Sequence, residues 1–216
     1  MMRMEIDTNT LSPHNRSRGS RRKQESPIPI PTRRAGPPVR LFWRVRQFVR
    51  GIFAHVDADE MLVTAHVLPK AALVRFCSLP LDAQRHSLNV LYTLHEAGWD
   101  DPDLAVAALL HDVGKVAGDE AGITLSPWLR SILVLLDTLA PNKMAQHALD
   151  DPATGWRYLL HVHRQHPAIG AAWAAADGCS ETACWLIAHH QDRHNSQPTE
   201  KMEKLLALLQ WADSQN

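Results

Sequence analysis

The sequence predicts an all-α domain that follows a disordered, basic N-terminal tail. Three observations carry this expectation. From about residue 57 onward, apolar residues recur at helical spacing, with no convincing alternating strand and no internal repeat. Short stop signals divide that stretch into helix-sized segments: Pro69, Pro80, Gly98, Pro102, Gly114, Pro127, Pro141, Pro152, Gly178 and Pro198. Residues 1–40, by contrast, are rich in Ser, Arg, Pro and Asn and show almost no apolar periodicity, the composition of a chain that cannot bury a core.

The organisation expected is a tail over 1–40, an amphipathic linker helix over 41–56 and a helical domain over 57–216. In the tail, Pro27-Ile28-Pro29-Ile30-Pro31 can be extended but not helical. The linker, LFWRVRQFVRGIF, places Phe42, Val45, Val49 and Phe53 on one helix face and its arginines elsewhere. It suits docking on the domain better than lying on a membrane surface, because Gly51 weakens an autonomous helix.

A formal net charge of zero hides an asymmetry. Residues 1–50 hold twelve Lys/Arg against three acids, a net of +9, so the remainder carries 11 basic and 20 acidic residues, a net of −9. The basic clusters of the tail suit contact with nucleic acid or an anionic membrane, or simple solvation. No apolar run approaches the roughly 18 residues that span a bilayer, and the N-terminus has no apolar signal core. The three cysteines, Cys77, Cys179 and Cys184, form no CxxC pair and read as reduced thiols of a cytoplasmic protein.

Within the domain, a helix over 81–97 ends at Gly98, a natural left-handed terminator. The next begins with Asp101 as N-cap and Pro102 in the first turn. Its body, LAVAALL, is apolar on every side, so it belongs in the middle of the domain. It runs into His111-Asp112, then Gly114 and Lys115. Later helices are expected over 127–139, 155–163, 167–176, 181–190 and 200–213. The apolar helix from Trp128 to Leu139 is a candidate pocket wall or homodimer surface.

Histidine is the compositional anomaly, with 13 in the chain, and imidazole is the commonest side-chain metal ligand near neutral pH. His111 and Asp112 end a buried helix, where two ionisable neighbours are costly unless something satisfies them. Asp213 shares one helix face with Met202, Leu206 and Leu209, at spacings of 4, 3 and 4. His86 shares a stripe with Val90, Leu94 and Ala97. His166 precedes Pro167 at an expected helix start, and His189-His190 close an apolar helix containing Trp185, Leu186 and Ile187. A lone histidine on an apolar face is usually a hydrogen-bonded core residue; seven such residues in one helical domain are harder to dismiss and point to a metal site. His161 and His163 are substitutes for His166 if the register differs, and Trp173 and Trp185 are possible pocket-lining residues.

The order His86 … His111-Asp112 … Asp213 resembles the H…HD…D signature of the HD-domain superfamily of metal-dependent phosphohydrolases, and HDVGK (111–115) resembles its HD-[IV]-G-K form. His166-Pro167-Ala168-Ile169-Gly170 and His189-His190 are similar to the extra histidine motifs of its multi-metal members. The resemblance spans roughly residues 80–213 and implies a single helical bundle of the HD type. It further implies that His86, His111, Asp112 and Asp213 form a basic metal site and that Asp112 bridges two ions. His166 with one or both of His189 and His190 would complete a second site, and Lys115 would face a substrate phosphate. Mixed imidazole and carboxylate ligands suit divalent Mn, Fe, Zn, Ni or Co. The expected activity is hydrolysis of a small-molecule phosphoester, such as a nucleotide or cyclic dinucleotide, with Asp112 and Lys115 in the catalytic apparatus.

Gln191-Asp192-Arg193-His194 follows the histidine pair with no Gly-Tyr-Pro motif, which argues against the cyclic-di-GMP phosphodiesterases that carry it. VGK after the HD pair, in place of ED, argues against alarmone hydrolases. Two alternatives stay open: a di-iron oxygenase, which shares scaffold and ligands, and a non-catalytic regulatory module that binds a ligand.

Overall fold

Why the chain turns where it does is set largely by capping side chains. In the structure, a computed structural model, the described residues are 55–123, 132–133, 135–137, 139–192 and 199–216. The tail and most of the linker expected from the sequence lie outside them. Helix α1 (Ala58–Val67) starts at Asp57, whose carboxylate accepts from Glu60 N while the Glu60 side chain accepts from Asp57 N, a reciprocal capping box. Helices α2 (Lys70–Ser78) and α3 (Leu81–Glu96) each follow a proline, Pro69 and Pro80. The chain leaves α3 through Gly98 at φ 82°, a backbone conformation that costs glycine little. Asp101 then caps α4 (Pro102–Leu110), accepting from the amides of Asp103 and Leu104.

After α4 come a 3-10 turn at Val113–Val116 and the short α5 (Ala117–Glu120). Helical residues occur among 132–139, within the range where the sequence predicts a helix. They lead to α6 (Pro141–Ala145) and a 3-10 turn at Pro152–Thr154. Helix α7 (Trp156–Ala176), α8 (Glu181–His189) and α9 (Glu200–Gln215) complete the bundle. Ser180 and Thr199 cap α8 and α9. Among the described residues there is no strand, so the fold is all-α, as the apolar periodicity predicts. None of the described helices is long and apolar enough to cross a membrane.

One sequence expectation fails. The sequence predicts two helices, 155–163 and 167–176, with Pro167 at the start of the second; α7 instead runs through Pro167 without interruption. Proline removes one backbone donor from the helix interior. Here the acceptor so freed, the His163 carbonyl, receives a side-chain proton from His166 at 2.7 Å.

Helix α4 is the hub. Leu104, Ala105, Ala107, Ala108, Leu109 and Leu110 are all buried, and α4 packs against α1, α2, α3, α8 and α9. Phe76 of α2, Leu88 and Leu91 of α3, Leu186 and Ile187 of α8, and Leu208 and Leu209 of α9 fill the surrounding core. Arg75 clamps α2 to the end of α7: its Nε donates to Asp177 Oδ2 at 2.5 Å and its guanidinium lies 4.6 Å from the centre of the Trp173 ring. The HD dipeptide is thus delivered at the end of the most enclosed helix.

Candidate metal centre

His111 is the C-cap residue of α4, and Asp112 enters the following 3-10 turn. That turn lies directly on α7, and glycine makes the approach possible. A Cβ on Gly114 would stand 2.1 Å from the His166 carbonyl oxygen and 2.8 Å from Gly170 N. A Cβ on Gly170 would meet Gly114 N at 3.2 Å. The glycines of HDVGK and HPAIG are therefore two sides of one backbone contact, and that contact brings Asp112 to His166.

Two groups of potential ligands result: His86, His111 and Asp112, and Asp112, His166 and His190. Asp112 belongs to both. Its Oδ2 lies 3.6 Å from His111 Nε2 and 2.5 Å from Lys115 Nζ. Its Oδ1 lies 3.3 Å from His166 Nε2 and 3.7 Å from His190 Nε2. On the other side, His86 Nε2 is 3.3 Å from His111 Nε2 and 3.0 Å from Asp213 Oδ1, which is itself 3.7 Å from His111 Nε2. His111, Asp112, His166 and His190 are buried. His86, Asp213 and Lys115 are 23%, 39% and 46% exposed at their side chains, so they mark the open edge.

Three of the imidazoles are oriented by the same device. His111 Nδ1 donates to Ala108 O at 3.0 Å, His166 Nδ1 to His163 O at 2.7 Å, and His190 Nδ1 to Ile187 O at 2.8 Å. In each case the acceptor lies three residues back. Ala108 and Ile187 belong to the last turns of α4 and α8, where carbonyls lack onward helical partners; at His163, Pro167 supplies the same vacancy. With the proton on Nδ1, each ring turns its Nε2 toward Asp112. Such backbone anchoring of the second ring nitrogen is the usual way a ligating imidazole is held.

The electrostatics call for a cation. Burial raises the Asp112 carboxyl, but the Lys115 ammonium, then His111 and His166, outweigh it and hold the group well below the usual carboxylate range. Burial pushes the His111 imidazole down, with Asp112 opposing. Burial likewise lowers His190 to about 3, helped by its neighbour His111. The carboxylate thus faces two rings, His111 and His190, that burial disposes toward the neutral form. Among the described residues the buried Nε2 of His190 has no hydrogen-bond partner, a state that costs on the order of 1–3 kcal/mol if nothing fills it. At the rim, Asp213 is also lowered: burial opposes this, and the hydrogen bond from His86 prevails. This donor set, imidazole nitrogens around a shared carboxylate, fits divalent transition ions.

The structure therefore brings together His86, His111, Asp112, Lys115, His166, His190 and Asp213 of the residues expected from the sequence. It places His189 elsewhere: its Nδ1 donates to Trp185 O at 2.8 Å and its ring stacks on the Trp185 ring at 4.4 Å. Trp185 is thus occupied by His189, and Trp173 by Arg75. His161 faces Asp150 at 3.4 Å and His163 faces Asp137 at 3.6 Å, both outside the two groups. Burial, then His166, lowers His163 to about 4. Gln191, which sequence reasoning did not place at the site, has its Nε2 3.3 Å from His166 Nε2; the only signal was its position directly after His190. A separate cavity of about 400 Å³, lined in part by His66, His95, Asp100 and Asp103, shares no residue with the cluster. The three cysteines are unpaired.

A family model described as HD domain matches residues 84–214, a span that contains every residue of the cluster. Comparison with curated proteins and comparison with solved structures gave no match.

Proposed function

Since the chain belongs to the HD-domain family, we propose that it is a metal-dependent phosphohydrolase that cleaves a nucleotide, a cyclic dinucleotide or a similar small phosphoester. The observation that carries this reading is the convergence of the Nε2 atoms of three buried histidines on Asp112, with His190 Nε2 left without a hydrogen-bond partner among the described residues. His86, His111, Asp112 and Asp213 would hold one divalent ion, and Asp112, His166 and His190 a second. Mn, Fe, Zn, Ni and Co all suit these ligands. Ions bound there supply Lewis acidity toward a phosphoryl oxygen and lower the pKa of a water.

The chain's own residues then have distinct tasks. The carbonyls of Ala108, His163 and Ile187 fix the rings so that little reorganisation is needed when charge develops. Lys115, half-exposed and paired with Asp112 Oδ2, is a cation at the open edge. With an ion held by Asp112, the Lys115 ammonium would be available to a phosphoryl oxygen. That cation favours phosphoester hydrolysis over the di-iron oxygenase reading.

The test is metal content and turnover on one preparation. Protein loaded in turn with Mn, Fe, Zn, Ni and Co is assayed against nucleoside phosphates, cyclic dinucleotides and bis(p-nitrophenyl) phosphate, in air and without oxygen. Phosphate release that His111→Ala abolishes together with bound metal is the expected result. Oxygen-dependent turnover without phosphate release would establish the oxygenase. Bound metal with no turnover of any phosphoester would establish a ligand-binding module.

A further inference from the structure

Gln191 touches the cluster without being one of its candidate ligands. It is the first residue after His190, and its side-chain amide nitrogen lies 3.3 Å from His166 Nε2. His166 Nδ1 carries the proton donated to His163 O at 2.7 Å, which leaves Nε2 as the nitrogen that accepts. An amide offers donors only through its nitrogen, which fixes how the Gln191 amide is turned. The lone pair it engages is the one that faces Asp112 Oδ1 at 3.3 Å. A single lone pair cannot serve an amide proton and an ion together.

On the reading that the cluster holds ions, we propose that Gln191 sets the affinity of the Asp112–His166–His190 position, by occupying the His166 lone pair until an ion displaces it. The arrangement allows this exchange at small cost. The main chain around Gln191 is tied down, with Asp192 N donating to His189 O at 2.9 Å and Gln210 Nε2 donating to Asp192 O at 2.8 Å. Gln191 itself is exposed, so its side chain can swing to water while the backbone stays in place. The other position is built differently. The groups around His111 Nε2 there, His86, Asp112 and Asp213, are themselves candidate ligands, so no amide proton has to be displaced from that nitrogen. The displacement by which Gln191 acts belongs to the Asp112–His166–His190 position alone.

Removing the amide destabilises only the ion-free form, so binding at this position tightens. Calorimetric titration of the metal-stripped full chain with Mn2+ is expected to resolve two binding events. His190→Ala identifies the event belonging to the Gln191 position as the one it removes. In Gln191→Ala that event tightens by about tenfold, equivalent to about 1.4 kcal/mol, while the other is unchanged. Gln191→Asn, one methylene too short to reach His166, behaves like Ala. The ion-free Gln191→Ala protein melts slightly below wild type and the loaded proteins melt together. Two events with unchanged affinities in Gln191→Ala overturn the inference alone. A weaker event in that variant overturns it too and makes Gln191 a support of the ion. A single event in wild type overturns the two-position reading, and this inference with it.

Discussion

His166 Nδ1 donates to the carbonyl of His163 at 2.7 Å, and Pro167 is what leaves that carbonyl available. In an unbroken helix the amide of residue 167 would take it. Proline has no such proton, so the side chain of the residue before it does the bonding instead. Pro167→Ala restores the competing amide. In the ion-free protein this raises the melting temperature, because proline in a helix interior costs about 3 kcal/mol. Affinity at the Asp112–His166–His190 position falls by about tenfold or more, the usual cost of losing the group that orients a ligand. Melting curves and metal titration on one preparation read both effects. Affinity equal to wild type would show that the proline does not act through His166.

Gly114→Ala tests the backbone contact on which the site rests. The new Cβ would meet main-chain atoms of α7, at 2.1 Å and 2.8 Å, and main chain cannot turn aside as a flexible side chain can. A loss of about 3 kcal/mol or more is expected, beyond the ordinary range for a point substitution. That corresponds to a melting temperature lower by roughly 6–12 °C for a domain of this size, with ion binding weakened as Asp112 is pushed from His166. Gly98→Ala is the comparison: its Cβ meets nothing within 4 Å, so it bears only the strain of a left-handed residue, about 1 kcal/mol. Equal melting temperatures for the two variants would refute the contact.

Asp112→Asn keeps the shape of the shared ligand and removes its charge. Both proposed ion positions lose their common member, so affinity is expected to fall at least a hundredfold at both, and the proposed phosphoester hydrolysis with it. Helical content by circular dichroism is expected to stay near wild type, since α4 is held by its apolar packing rather than by this group. Retention of one full-affinity ion would show that Asp112 is not shared.

Acid should unfold the metal-free chain early, and the sign follows from burial. His163 and His190 are lowered, to about 4 and about 3, and His111 is lowered as well. The unfolded rings titrate near 6.5, so between that pH and the folded values the unfolded state binds more protons. Stability is therefore fully present above about pH 6.5 and declines as pH falls toward 4 and below. Asp112 acts in the same direction over a lower range, because its folded pKa is depressed. Melting of metal-stripped protein from pH 7.5 to 4.5 measures this. A flat profile over that range would contradict neutral, buried imidazoles.

Much of this site could be read from residue order. Asp101-Pro102 and Gly98 mark the limits of α4 and α3 because capping depends on the two or three residues nearest a helix end. Asp213 could be assigned to a core-facing stripe because Leu206 and Leu209 bury the same face. The continuity of α7 could not be read, because the side-chain bond that tolerates Pro167 depends on which rotamer His166 adopts. Gln191 was equally hidden, since contact with His166 requires α7 and α8 to be packed together. The mutual fit of Gly114 and Gly170 is likewise a property of two segments in contact, and neither glycine signals it alone.

The pair His189-His190 gives the sharpest remaining test, because sequence treats the two as equivalent and the bundle does not. Neighbouring residues on a helix point about 100° apart, so both cannot face Asp112. α8 ends at His189, and its last turn directs His190 inward, where Nδ1 takes the Ile187 carbonyl and Nε2 lies 3.7 Å from Asp112 Oδ1. His189 turns the other way and lies against Trp185. Each variant therefore has its own signature. His190→Ala is expected to remove one of two ions, leaving the position built on His86, His111, Asp112 and Asp213 occupied. His189→Ala is expected to keep full metal content and to lose only stacking, worth about 0.5–1.5 kcal/mol, seen as a small drop in melting temperature. Elemental analysis of both variants beside wild type decides the matter: loss of an ion from the His189 variant, with the His190 variant fully loaded, would reverse the assignment.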